Sequence, residues 1–108
     1  MEVMTRRADF LAAAKAQRAS APGLTLQARA RGDDGPPRFG FTCSKKVGNA
    51  VARNRARRRL REAARHALLP VARPGWDYVL IGRRDATALR PWTDLLDDAR
   101  RAAGRIHA

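Results

Sequence analysis

Three segments of the chain carry the apolar patterns that predict β-strands. Residues 24–31 alternate apolar and polar side chains, which is the period of a strand with one buried face. Residues 38–44 alternate again, and residues 32–37 between them are rich in Gly, Asp and Pro, so we expect the two strands to pair as a hairpin. Residues 76–82 are mostly apolar on both faces, which is typical of a strand in the centre of a sheet.

Helical periodicity and capping residues predict three helices around these strands. The first is expected to run from a cap at Thr5 to residues 21–23, where Ala-Pro-Gly stops it. The second is basic, with Asn49 as its cap, and ends before the Arg-Pro-Gly turn at residues 73–75. The third is capped by Thr93 and carries acids early and cations late, as the helix macrodipole favours.

The order of these elements predicts an α+β fold, a small two-layer sandwich in which the helices pack on one mixed β-sheet. With 108 residues there is room for one core, so we expect a single domain over residues 1–108. Hydrophobic residues make up 44% of the chain, which is too many for a disordered basic tail.

The charge of the chain indicates a polyanionic partner. Lys and Arg number 23 against 10 Asp and Glu, a formal net charge of +13. Cys43 is the only cysteine, so an internal disulfide is excluded and a Cys/His zinc site is disfavoured. The first twenty residues carry several charges and no long apolar run, so we expect no secretory signal, no membrane span and a cytoplasmic protein.

The basic helix divides into two faces when about 100° is allowed for each residue. One face is predicted to be buried and consists of Ala56, Leu60, Ala63, Ala64 and Ala67. The opposite face forms what we call the arginine ridge, consisting of Asn54, Arg58, Arg61 and Arg65 with Arg55 and Glu62 beside them. Arg53 lies off the ridge, so either the helix starts there or its side chain points off the helix start. A merely solvated face would interleave more acids, and a ridge of this kind can follow a phosphate backbone.

The cations around the helix start add a second candidate anion site. Lys45 and Lys46 precede the cap, and Arg53 follows it. The unpaired N–H groups of a helix start favour a phosphate there.

The sequence offers no candidate catalytic residue and no candidate metal ligands. Phosphodiester hydrolysis by a protein needs clustered carboxylates for metal ions or a His-based acid and base pair. Asp94, Asp97 and Asp98 form the one acidic cluster, and their place at a helix start is explained by the macrodipole. His66 and His107 have no evident partner.

A long signature of fixed spacing covers the basic segment. It reads Lys45-Lys46-Val47-Gly48-Asn49-Ala50-Val51, then Arg53-Asn54-Arg55, then Arg58-Arg59-Leu60-Arg61-Glu62. Together with the flanking Asp9-Phe10 helix and the Asp77-Tyr78-Val79 strand, it resembles the bacterial ribonuclease P protein component family over nearly the whole chain. The resemblance implies a subunit of the ribonucleoprotein endonuclease that removes the 5′ leader from precursor tRNA, with the RNA as catalyst and the protein assisting at low Mg²⁺. It also implies a ribosomal-protein-like sandwich with a left-handed β-α-β crossover.

The resemblance further implies which residues bind RNA. The residues that the resemblance implies as contacts of the catalytic RNA are Lys45, Lys46, Asn49, Arg53, Asn54, Arg55, Arg57, Arg58, Arg61 and Arg65. A cleft between the first helix and the sheet would hold the precursor leader, with Phe10, Phe39, Phe41 and Arg7 as its candidates. Ala14 and Gln27 stand where the family can carry further aromatics, and the strand pair of phenylalanines could instead be core. Mg²⁺ would be held mainly by RNA, and no obligate protein partner is expected.

Two other classes of function fit the charge of the chain. The first alternative is a structural or ribosomal RNA-binding protein without a processing role. The second is a DNA-binding regulator that lays the basic helix in a major groove, although a helix-turn-helix pair is not recognisable. Reconstitution with ribonuclease P RNA at low Mg²⁺ distinguishes the processing role from the first alternative, because only a processing subunit restores removal of the leader. Preference for duplex DNA over folded RNA would identify the second alternative.

Overall fold

A computed structural model describes residues 1–108 as a five-stranded mixed sheet with four helices. The strands are β1 (Glu2–Val3), β2 (Gln17–Ser20), β3 (Leu24–Ala30), β4 (Arg38–Thr42) and β5 (Trp76–Gly82), in the order β1-β4-β5-β3-β2. The helices are α1 (Arg7–Ala14), α2 (Ala50–Ala63), α3 (Ala86–Leu89) and α4 (Trp92–Ile106). The predicted α+β class is confirmed, and so is the central position of the strand predicted at residues 76–82.

The hairpin predicted between residues 24–31 and 38–44 is wrong, because β5 lies between these two strands. Val79 of β5 is opposite Gln27 of β3 in an antiparallel pair and opposite Gly40 of β4 in a parallel pair. Alternation identifies a strand but not its neighbour, and β5, apolar on both faces, takes the centre. The parallel neighbours β4 and β5 are joined through α2, so they form a β-α-β unit.

The first helix is shorter than predicted, and the chain after it forms an edge strand. Helix α1 ends at Ala14, and β2 then pairs antiparallel with β3, with the turn between them closed by a 2.9 Å bond from Ala21 N–H to the Leu24 carbonyl. Only Ala13 of α1 is fully buried, so packing gives little reason to extend the helix. The predicted threonine caps are also wrong, since α1 starts after Arg6 and α4 after Pro91 without side-chain caps.

The helices cover both faces of the sheet. On one face α2 and α4 bury a core that includes Leu24, Leu26, Leu60, Tyr78, Leu80 and Leu95. On the other face α1 contributes Ala13 to a small cluster with Met4 and Val79, against which Phe10 packs. Gly40 permits this contact, because a Cβ at that position would lie 2.5 Å from the Phe10 ring. Helix α1 therefore lies close against β4, on the opposite side of the sheet from α2.

Candidate nucleic-acid interface

A tight turn positions the start of the basic helix α2. Lys45–Val47 form a single 3₁₀ turn, in which the Lys46 N–H donates to Ser44 Oγ at 3.3 Å. Gly48 follows with a φ of 142°, a conformation that favours glycine. Asn49 Oδ1 then accepts a 2.9 Å bond from the Ala52 N–H, so the predicted N-cap is confirmed. The exposed Lys45 and Lys46 thus stand beside the positive end of α2.

Arg53 turns back toward the helix start, which confirms that its side chain leaves the ridge. Its Nη1 donates to the Gly48 carbonyl at 3.1 Å, and the residue is half-buried. This single bond leaves the other guanidinium N–H groups free of protein acceptors. Arg53 therefore both secures the turn and presents a cation at the helix end.

The two faces of α2 are those predicted. Its buried face, continued through one π-helical turn at Ala64–Leu68, consists of Ala56, Leu60, Ala63, Ala64 and Ala67. The ridge residues Asn54, Arg58, Arg61 and Arg65 are all exposed. Because the buried side chains of this face are mostly small alanines, α2 packs closely on the sheet. This close packing fixes the position of the ridge on the opposite face of the helix.

The guanidinium groups of the ridge have no carboxylate partner. The ion pairs of the structure join other residues, and the one acid on this helix, Glu62, faces His66 at 3.6 Å. Arg57 donates to Asn54 Oδ1 at 3.2 Å, and Arg61 lies over the Phe41 ring at 5.7 Å from its centroid. Mutual repulsion of these cations is therefore relieved only by an external anion or by salt.

Arg59 differs from its neighbours because it is held by protein carbonyls. Its Nη1 and Nη2 donate to the carbonyls of Thr87 and Arg90, both at 2.7 Å, and its guanidinium lies over the Trp92 ring. Burial lowers the pKa of Arg59, and the nearby charge of Arg55 lowers it further. Sequence reasoning missed Trp92, because its place beside α2 depends on how distant parts of the chain pack.

The three phenylalanines predicted for the leader cleft do not share a surface. Because side chains alternate along β4, Phe39 and Phe41 face α2, whereas Gly40 between them faces α1 and Phe10. Phe39 is fully buried and stacks on Tyr78 at a centroid distance of 5.5 Å. Its prediction as a leader contact is wrong, and the core-packing alternative holds for it. Phe41 belongs to the α2 side, and its prediction for the α1 cleft is also wrong.

On the α1 face of the sheet Phe10 remains half-buried against Gly40, and Arg7 is exposed at the start of α1. Gln27 is buried on this face, and Ala14 is exposed at the end of α1. The structure therefore leaves Phe10 and Arg7 as the predicted cleft residues on the α1 side.

A buried carboxylate organises the cations beside Phe10. Asp77 accepts two 2.7 Å bonds from Arg38, one of 2.8 Å from Arg31 and one of 3.2 Å from Arg29. Burial alone would raise the pKa of Asp77, but the hydrogen bonds from Arg38 and Arg31 outweigh it, so its pKa is lowered. Asp9 of α1 lies 3.4 Å from both Arg29 and Arg38, which ties the helix to the sheet. An acid inside an apolar strand was the sequence signal that this cluster existed.

No helix of the structure combines the length and the apolar character needed to cross a lipid bilayer.

Comparison with known proteins points to one family throughout. A family model described as Ribonuclease P matches residues 1–107. The ribonuclease P protein component of Ruegeria pomeroyi is 60% identical over 110 residues, covering 100% of this chain and 88% of the relative. That of Caulobacter vibrioides is 53% identical over 102 residues, covering 94% of this chain and 68% of the relative.

Solved structures agree with this fold. The Staphylococcus aureus RNase P protein superposes with a TM-score of 0.77 at 20% identity and covers 98% of this chain and 95% of its own. The Thermotoga maritima RNase P protein superposes with a TM-score of 0.69 at 25% identity, covering 94% of this chain and 96% of its own.

Proposed function

Because the chain belongs to the ribonuclease P protein family, we propose that its arginine ridge binds the RNA subunit of that ribonucleoprotein. The chain is a protein component of ribonuclease P, an endonuclease that acts in tRNA processing. The observation that carries the proposal is the set of exposed arginines on α2 without carboxylate partners. Phosphates of a folded RNA supply the missing anions, and the planar guanidinium holds them with paired hydrogen bonds.

The helix start extends this surface. Lys45, Lys46 and Asn49 precede the ridge, and Arg53 presents its guanidinium at the same end of α2. A phosphate there meets both the helix dipole and the cations. We assign the contact with the catalytic RNA to these four residues and to the exposed arginines of α2 and of its π-helical turn, which are Arg55, Arg57, Arg58, Arg61 and Arg65.

The precursor leader is assigned to the other side of the sheet. Phe10 offers a half-buried ring on α1, and Arg7 adds a cation one helical turn before it. A ring of this kind can stack on a base of any identity, which suits leaders of varied sequence. The cations Arg29 and Arg38 lie beside it but are shared with Asp9 and Asp77, so they contribute little unbalanced charge.

The chain supplies no catalytic group to this proposal. Nowhere do three His, Cys, Asp or Glu side chains gather as metal ligands, and the buried carboxylates of Asp77 and Asp98 are bound by arginines. The residues of the chain therefore do not fit a Mg²⁺ ion, and we assign the Mg²⁺ to the RNA. The protein lowers the repulsion between two RNAs and so reduces the Mg²⁺ that their approach requires.

Reconstitution tests this function. Bacterial ribonuclease P RNA is incubated with precursor tRNA at low Mg²⁺, with and without the full chain. We expect the chain to restore removal of the 5′ leader and to cleave nothing without the RNA. Binding of the RNA without restored cleavage would favour the alternative of a structural RNA-binding protein.

A further inference from the structure

Among the phenylalanine, tyrosine and tryptophan side chains, Trp92 is the one that the fold leaves most open to solvent. It is the first residue of α4, and 36% of its surface is exposed, whereas the other tryptophan, Trp76, is half-buried against Tyr78 and His107. Exposed tryptophan is uncommon, because burial of so large an apolar ring is favourable.

Trp92 lies beside the arginine ridge. Its ring is 5.7 Å from the guanidinium of Arg59 on α2 and 6.2 Å from the ring of His66 in the π-helical turn that follows α2. Seen down the axis of α2, the Arg59 side chain points about 100° away from that of Arg58 in the ridge. The Arg55 side chain points in a direction between these two. Trp92 therefore lies on the flank of α2 next to Arg55, between the arginine ridge and the buried face of the helix.

The ring is held in place before any ligand arrives. Arg59 is fixed by its bonds to the Thr87 and Arg90 carbonyls, and its guanidinium lies over the indole. A guanidinium on an aromatic face is a favourable cation–π contact. A preorganised ring loses little conformational entropy when a ligand stacks on it.

The surroundings of Trp92 favour a nucleic acid over a protein. Arg55, whose charge lowers the pKa of Arg59, stands nearby without an acidic partner, and the one acid of α2, Glu62, lies 3.6 Å from His66. Leu89 and Val51 are exposed at 70% and 77%, but each is a single side chain beside these cations. A base attached to a phosphate backbone satisfies the ring and the cations together.

We propose that Trp92 stacks on an unpaired base of the ribonuclease P RNA, next to the phosphates bound by the ridge. The base is unpaired because a base within a duplex already has both of its faces covered. This inference rests on the proposed function of the ridge. It adds a base contact at the start of α4 to the phosphate contacts of α2.

Fluorescence and affinity together test the stacking, because the chain has only two tryptophans. In a Trp76→Phe variant Trp92 is the sole indole, and we expect its emission to be quenched on titration with ribonuclease P RNA. The difference between wild type and Trp92→Phe reports the same signal without altering Trp76. Trp92→Leu should weaken RNA binding about five- to one-hundred-fold, and Trp92→Phe should retain most of the affinity. The control is Val71→Ala, which shortens an exposed apolar side chain beyond the π-helical turn and should leave the affinity unchanged.

The proposal requires both quenching of Trp92 by the RNA and loss of affinity in Trp92→Leu. If only one of these two results is observed, the proposal is overturned. Loss of affinity without quenching would assign Trp92 a structural part through Arg59. These failures leave the proposed function intact, because the wild-type chain would still bind the RNA and restore cleavage. If the wild-type chain did not bind the RNA at all, both the stacking of Trp92 and the proposed function of the ridge would be contradicted.

Discussion

Arg38 donates two hydrogen bonds, each 2.7 Å long, from Nε and Nη2 to the fully buried carboxylate of Asp77. Asp77 lies on the central strand β5 and Arg38 at the start of β4, so this pair joins two parallel strands. Arg29 of β3 and Arg31, the residue just after β3, donate to the same carboxylate, and the cluster therefore spans the three middle strands. It lies on the α1 face, opposite the arginine ridge.

Removal of the Asp77 charge is expected to destabilise the fold strongly. Asp77→Asn leaves three arginines without their common anion, and breaking a buried pair of this kind costs about 3–5 kcal/mol. The control is Asp34→Asn in the exposed turn, which should change the free energy of unfolding by less than about 0.5 kcal/mol. Urea unfolding at pH 7 measures both, and equal stability of the two variants would contradict the role of Asp77.

The same cluster predicts how stability depends on pH. The pKa of Asp77 is lower in the folded chain than in the unfolded chain, so its stabilisation is fully present above the unfolded pKa of about 4. The stabilisation is lost as pH falls from about 4 through the lower folded pKa. The difference in unfolding free energy between wild type and Asp77→Asn should therefore be large at pH 7 and should shrink as pH falls below about 4. A difference that stays constant to pH 2 would contradict this.

A methyl group at Gly40 is expected to push α1 away from the sheet. Its Cβ would lie 2.5 Å from Phe10 Cε1, so Gly40→Ala should cost about 1–3 kcal/mol. The matched control is Gly104→Ala on α4, where nothing lies within 4 Å and helix propensity should stabilise the chain slightly. In a Phe10→Ala background the cost at Gly40 should fall. An unchanged cost there would mean that Phe10 is not the obstacle.

Phe10 itself is expected to distinguish precursor from mature tRNA. Phe10→Ala removes the ring proposed to stack on the leader, so affinity of the holoenzyme for precursor should fall by about 1–3 kcal/mol. Affinity for mature tRNA, which lacks the leader, should not change. Binding of the two RNAs is measured with the same variant, and its fold is checked by thermal unfolding. An equal loss with both RNAs would assign Phe10 to the core instead.

How far the sequence could predict this molecule depends on the range of the interactions. The faces of α2 and the Asn49 cap follow from contacts within one helix, and both were predicted correctly. The neighbours of β4 depend on which distant strand takes the centre of the sheet, and the predicted hairpin was wrong. The alternation of side chains between the two faces of β4 was also visible in the sequence. It could not show that α1 packs on the face opposite to Phe39.

Two features beside the proposed RNA surfaces were beyond sequence reasoning for the same reason. The partners of Asp77 come from β3 and β4, far from it in the chain. Trp92 meets Arg59 only because α3 and the start of α4 pack beside α2. An acid in an apolar strand signals that partners exist, but not which residues they are.

The salt dependence of binding to ribonuclease P RNA tests the central role of the arginine ridge most directly. Arg58→Ala removes one exposed cation from the ridge, and Arg101→Ala removes one from the exposed side of α4 as a charge-matched control. The slope of log affinity against log salt should fall in magnitude by about one for Arg58→Ala, with weaker binding, because one phosphate contact is lost. It should stay at the wild-type value for Arg101→Ala. Equal slopes and affinities for the wild type and Arg58→Ala would contradict the assignment of the ridge to RNA.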